Sequence, residues 1–100
     1  MPLYPPRDLE PYKKRESLEK KENQLMHALK TKVDVFKLNR VAEKVRTAQL
    51  AVLKARFELI RYRPETEQQI KELLSIEQDT IRWSTMSAEE IVSEYMHKQV

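Results

Sequence analysis

The 100-residue chain contains no glycine and no cysteine, and its only histidines are His27 and His97. Glycine is the usual residue where the backbone needs a positive φ or passes close to a phosphate. Its absence argues against hairpin-rich β folds, P-loops and dinucleotide-binding loops. Without cysteine there is no disulfide and no thiolate site, and two distant histidines make no local metal motif. We therefore expect no metal and no cofactor.

Long apolar runs are also absent. No stretch is apolar over the roughly 20 residues that a bilayer span requires. The first ten residues carry acids early and lack the apolar segment of a secretory leader. These features predict an intracellular protein with no membrane span.

No group of side chains suggests catalysis. Glu16, Glu19 and Glu22 alternate with lysines, which is typical of a charge-paired helix surface. Ser87 precedes Glu90 by three residues, a spacing that predicts a helix-capping box rather than an activated nucleophile. We expect a protein that is not an enzyme and has no small-molecule substrate.

Charge is divided unevenly along the chain. Residues 1–63 carry 16 Lys/Arg and 8 Asp/Glu, whereas residues 64–100 carry 3 and 8. This division predicts different partners for the two parts, or one part folding back on the other. Ordinary solvated helix charge is the alternative explanation, because single surface charges contribute little.

Residues 1–12 predict an extended arm, since they hold four of the five prolines. A disordered terminus is the usual fate of such a segment. The arm also carries Leu3, Tyr4, Leu9 and Tyr12, more large side chains than a spacer needs. We expect the arm to become ordered along a partner.

Residues 13–63 predict one long basic helix, because they contain no proline or glycine and are rich in helix-forming residues. The β-branched residues and Asp34 within 31–35 favour a kink or a break into two helices. An unbroken helix of about 45 residues would be roughly 65–70 Å long, more than a chain of this size can cover.

Two apolar stripes run along the second half of this segment. The first has heptad spacing and comprises Val41, Val45, Ala48, Val52, Ala55, Leu59 and Tyr62. The second comprises Leu50, Leu53, Phe57 and Ile60. Because the helix is apolar around more than half its circumference, we expect little or no autonomous core and partners on two sides. An autonomous three-helix bundle is the alternative.

Residues 64–100 predict an acidic helical hairpin or tail and no independent globular domain. Pro64 is suited to begin a helix over 64–83, and the Ser87–Glu90 box begins another over 88–98. The first helix should bury Ile70, Leu73, Leu74 and Ile81, with Trp83 beside them and Ile76 off to the side. The last should bury Ile91, Val92, Tyr95 and Met96. No alternating strand pattern occurs, so the fold class is all-α.

The basic residues between 13 and 46 predict a polyanionic partner. RNA readout usually adds aromatic stacking, and Phe36 is the one aromatic residue in this run, so an acidic protein surface is favoured. The candidate partner-binding residues are Tyr4, Tyr12, Lys13, Lys14, Arg15, Lys20, Lys21, Val45, Val52, Phe57, Leu59 and Tyr62.

Residues 56–74 resemble a stretch of the small helical proteins that line the inside of ciliary doublet microtubules. The resemblance is carried by Arg56, Leu59, Tyr62, Glu65, Glu67, Ile70, Glu72 and Leu74. It implies a coreless structural protein in the cytoskeleton of a cilium or flagellum. The implied partners are the acidic surface of tubulin and neighbouring inner proteins.

We therefore expect a non-enzymatic structural subunit that stabilises an axonemal doublet microtubule lattice. Three alternatives remain open: an accessory subunit of a ribosome, including a mitochondrial one, that contacts ribosomal RNA; an accessory helical subunit of a respiratory complex; and an autonomous adaptor bundle.

Overall fold

Four helices make up the computed structural model, which describes residues 10–61 and 66–98. They are α1 (Glu10–Lys30), α2 (Val35–Ile60), α3 (Glu67–Thr85) and α4 (Ala88–Lys98). Neither described range contains a strand, and the all-α prediction is confirmed. Residues 10–12, predicted as part of the extended arm, belong to α1, because a proline in the first turn disturbs no helical hydrogen bond. The rest of the arm lies outside the described residues.

The predicted break falls at residues 31–34. Lys32 has a φ of 54°, its N–H donates to Leu29 O, and Val33 N–H donates to Ala28 O. These are the two hydrogen bonds of a Schellman ending, made here by a lysine because the chain has no glycine. Asp34 then caps α2 by accepting from Lys37 N–H at 2.9 Å. Of the two predictions, the two-helix one is correct and the unbroken helix is wrong.

This turn folds α1 back against α2. Residues 14–21 of α1 and 43–51 of α2 line one groove between the two helices, and the short turn at 31–34 joins them, so the helices run antiparallel. The molecule measures 50 × 28 × 22 Å, which is shorter than the predicted rod. The basic segment is therefore a helical hairpin.

A core forms around α2, which contacts each of the other three helices, and α4 also contacts α1. Its fully buried side chains come from all four helices: Leu25, Val45, Leu53, Ile76 and Ile91. The expectation of little or no autonomous core is wrong, because α1, α3 and α4 cover most of both stripes on α2.

The last two helices begin at capping boxes. Thr66 and Gln69 form one box before α3, so α3 begins at Glu67 rather than at 64. Pro64 lies outside the described residues. The predicted Ser87–Glu90 box is confirmed: Glu90 N–H donates to Ser87 Oγ at 3.1 Å, and Ser87 N–H donates to the Glu90 carboxylate at 3.0 Å. These local bonds fix where each helix starts.

The predicted apolar face of α3 is wrong at three of its positions, although Trp83 is buried as predicted and Leu73 is half-buried. Ile76 and Trp83 are buried, whereas Ile70, Leu74 and Ile81 are exposed. Trp83 has the largest apolar surface of this helix, and Ile76 stands one heptad before it, so packing on this seam buries more area. On α4, Ile91 and Tyr95 are buried as predicted, Val92 is half-buried, and Met96 is exposed.

Candidate functional site

A groove between α1 and α2 carries three lysines. We call it the lysine groove; its volume is about 350 Å³, and it is lined by Lys14, Ser17, Lys21, Glu43, Lys44, Thr47, Ala48 and Ala51. Each helix contributes positions three, four and seven apart, which share one helix face. Alanines and hydroxyl-bearing residues leave room between the longer lysine side chains.

The ion pairs of the described residues all use arginine. They are Arg46–Glu43 at 3.0 Å, Arg56–Glu72 at 3.4 Å, Arg61–Glu58 at 3.1 Å and Arg82–Glu94 at 2.8 Å. No lysine within 10–61 or 66–98 forms an ion pair, although nine of the chain's eleven lysines lie between positions 13 and 54. Within the described residues, therefore, no ion pair neutralises the lysines of the lysine groove.

The carboxylate in the groove lining is already engaged. Glu43 accepts from the Arg46 guanidinium at 3.0 Å and its backbone oxygen accepts from the Thr47 hydroxyl at 3.1 Å. Lys14, Lys21 and Lys44 thus present three ammonium groups, each able to donate to a carboxylate or phosphate oxygen. The groove is suited to bind an anionic surface.

A buried contact beside the groove holds the hairpin together. The Tyr95 hydroxyl of α4 donates to the Glu22 carboxylate of α1, next in sequence to Lys21. Burial, and secondly this hydrogen bond, raise the pKa of Tyr95 far above its ordinary value. The contact engages Glu22 and so keeps another carboxylate from pairing with the lysines.

The first turn of α4 carries a second group with a shifted pKa, Glu90. Glu90 accepts from Ser87 N–H, and this backbone hydrogen bond is the main cause that holds the pKa of Glu90 below its ordinary value. Glu90 therefore stays ionised at the N-terminus of α4, where the helix dipole favours a negative charge.

Most of the predicted partner-binding residues have exposed side chains. Exposed positions are Tyr12, Lys13, Lys14, Arg15, Lys20, Phe57 and Leu59, and Lys21 is half-buried. Tyr4 and Tyr62 lie outside the described residues. The prediction that Val45 and Val52 bind a partner is wrong, because both side chains are buried in the chain's own core.

Lys44 also lines the lysine groove, and it is not among the predicted partner-binding residues. Lys21 and Lys44 stand equally far from the turn centre between Lys32 and Val33, as do Lys14 and Ala51. In an antiparallel hairpin such positions face each other. Once the turn is placed at 31–34, the sequence therefore indicates which positions of α1 and α2 lie at the same level of the hairpin.

Residues 10–61 and 66–98 hold no group of three or more His, Asp or Glu that fits a metal ion. None of the described helices has the length and apolarity of a membrane span.

The sequence matches no protein-family model, no curated protein and no solved structure.

Proposed function

We propose that the chain is a non-enzymatic structural subunit that docks through the lysine groove on an acidic surface of a large protein assembly. One observation carries the proposal: three lysines line one groove and form no ion pair, while the ion pairs among the described residues are all made by arginines. Such a division leaves a positive surface for a partner, where charge steers association and fixes orientation.

The groove favours a protein surface over RNA. Specific RNA recognition usually stacks bases on aromatic side chains, and the groove lining contains none. Phe36 is exposed, but it lies in the first turn of α2 and does not line the groove.

The assembly we propose is the axonemal doublet microtubule, in the cytoskeleton of a cilium or flagellum. Two points support it: the resemblance of residues 56–74 implies tubulin, with its acidic surface, as the partner, and Leu59 within that stretch is exposed on α2. An exposed leucine at this end of the hairpin is available to a neighbouring subunit, as interface cores are apolar.

Co-sedimentation of the full chain with microtubules of purified tubulin tests the proposal. We expect Lys14→Glu, Lys21→Glu and Lys44→Glu together to weaken binding by roughly 10- to 100-fold, since three rim charges are reversed. The arginine triple at the same positions should bind like the wild type. A control with the same net charge, Lys30→Glu with Lys37→Glu and Lys71→Glu, reverses exposed lysines outside the groove and should lose much less.

Two results would contradict the proposal. One is equal weakening by the groove triple and by the control triple, which would mean that only net charge matters. The other is tight, salt-dependent binding to ribosomal RNA in a mobility-shift assay without binding to microtubules, which would favour the ribosomal alternative.

A further inference from the structure

A second groove, between α2 and α3, is mainly apolar. Its volume is about 760 Å³, and it is lined by Leu50, Leu53, Lys54, Phe57, Glu77, Thr80, Ile81 and Ser84. Phe57 is 39% exposed and Ile81 is 58% exposed, so this apolar surface is open to solvent. Neither α1 nor α4 contributes to the lining. We call it the apolar groove.

An apolar ridge stands beside it on α3. Ile70, Leu74 and Ile81 are 49%, 55% and 58% exposed. At 100° per residue the three lie within about 40° of arc, along about 16 Å of helix. This is the stripe that the sequence pattern assigned to the core, and within the described chain no helix covers it. Contiguous exposed apolar area of this kind typically marks an interaction site.

The two walls of the apolar groove carry opposite charges. Lys54 lies on the α2 wall and Glu77 on the α3 wall. They form no ion pair with each other or with another described residue. One wall is thus positive and the other negative, and neither charge is paired within the part of the chain that the structure describes.

We propose that a second copy of this chain occupies the apolar groove by two-fold packing. The ridge and the groove share α3, so a two-fold axis beside this helix brings each copy's ridge to the other's groove. The same rotation brings Lys54 to Glu77 of the second copy and Glu77 to its Lys54. The α2–α3 pairs of the two copies then form a four-helix arrangement.

Charge complementarity selects a second copy over an unrelated helix. An unrelated helix would need an acid and a base placed to match Lys54 and Glu77. A second copy supplies a glutamate opposite Lys54 and a lysine opposite Glu77, because a two-fold rotation exchanges the two walls of the groove. The interface is independent of the lysine groove, which lies between α1 and α2, so a dimer would carry two lysine grooves and bind a lattice with avidity.

Sedimentation velocity of the full chain across a concentration series tests the ridge. We expect a monomer–dimer equilibrium in the wild type. Leu74→Glu with Ile81→Glu should weaken the dimer at least 100-fold, because each copy would bury two unpaired carboxylates. Met96→Glu is the control: Met96 is 54% exposed on α4, away from the apolar groove, so the dimer should be unaffected.

Charge reversal tests the two-fold arrangement. Lys54→Glu and Glu77→Lys should each weaken the dimer by roughly tenfold, because the two symmetry-related pairs become like-charged. The double variant Lys54→Glu with Glu77→Lys restores both pairs and should restore the dimer. Circular dichroism and thermal melting of each variant check that the monomer fold is intact.

Three results would overturn the proposal: a wild type that stays monomeric to high concentration, a dimer that survives both ridge substitutions, or a double charge variant that stays as weak as the single ones. A monomer with intact microtubule binding would remove this proposal and leave the proposed function standing. A dimer without microtubule binding would do the reverse.

Discussion

Tyr95 of α4 donates its hydroxyl hydrogen to the carboxylate of Glu22 on α1, a residue 73 positions earlier in the chain. Tyr95 is buried, and the bond joins the last described helix to the first. Helix α4 therefore contacts both helices of the hairpin, α1 and α2, which together line the lysine groove. The stability of the hairpin therefore depends on a helix that contributes nothing to the groove lining.

Tyr95→Phe should lower the free energy of unfolding by about 1–2 kcal/mol, because it removes a hydrogen bond to a charged acceptor without opening a cavity. Urea denaturation of the full chain measures the change. Tyr12→Phe is the matched control, since Tyr12 is exposed on α1 and forms no described hydrogen bond. An unchanged midpoint for Tyr95→Phe would mean that the contact contributes nothing in solution.

Alkaline pH should destabilise the wild type. The pKa of Tyr95 is raised in the folded state above its ordinary value of 10.0, so above that pH the unfolded chain releases a proton that the folded chain retains. Stability conferred by neutral Tyr95 is complete below pH 10 and falls as the pH rises further. Denaturation midpoints at pH 8–11 measure this, and Tyr95→Phe should show a shallower loss. Identical slopes would contradict the assignment.

The Ser87 cap is the clearest local prediction of the sequence. Ser87→Ala should cost about 1 kcal/mol of stability, because the N–H of Glu90 loses its acceptor. Ser93→Ala, on the exposed side of α4, is the control for helix propensity. Hydrogen exchange of the first-turn amides of α4 locates the effect, and unchanged protection would mean that the cap does not hold this helix.

The sequence predicts the ends of helices better than it predicts which face of a helix is buried. The Ser87–Glu90 box follows from bonds between near neighbours, so the sequence is sufficient for it. At 31–35 the sequence leaves a kink and a break both open, because the left-handed residue of the turn is Lys32 and no glycine marks it. The face of α3 does not follow, because Ile76 with Trp83 and Ile70 with Leu74 make two apolar stripes on opposite sides. Which one faces inward depends on α2, which is distant in sequence.

Paired isoleucine substitutions test which stripe of α3 is inside. Ile76→Ala should destabilise the chain by about 2–4 kcal/mol, because it opens a cavity at a fully buried position. The same change at Ile70, which is half exposed, should cost less than about 1 kcal/mol. Chemical denaturation of both variants at low protein concentration compares them in the monomer. The reverse order would place the predicted stripe in the core.

The left-handed residue in the turn offers a stabilising substitution. Lys32 has a φ of 54°, a region that costs a residue with a Cβ about 1 kcal/mol and costs glycine little. Lys32→Gly should therefore raise the free energy of unfolding by about 0.5–1 kcal/mol. Lys20→Gly, at an exposed position inside α1, should lower it by a similar amount. Destabilisation by Lys32→Gly would argue against this turn.

Cross-linking in native cells tests most directly whether the lysine groove docks on an acidic protein surface. A carbodiimide joins a lysine to a carboxylate without a spacer, so the two groups must come within bonding distance, and mass spectrometry of the affinity-purified chain then identifies both residues. We expect Lys14, Lys21 and Lys44 to be joined to aspartates or glutamates of one neighbouring protein, tubulin in the axonemal case. Cross-links confined to lysines outside the groove, or groove lysines cross-linked by ultraviolet light to RNA alone, would contradict the account.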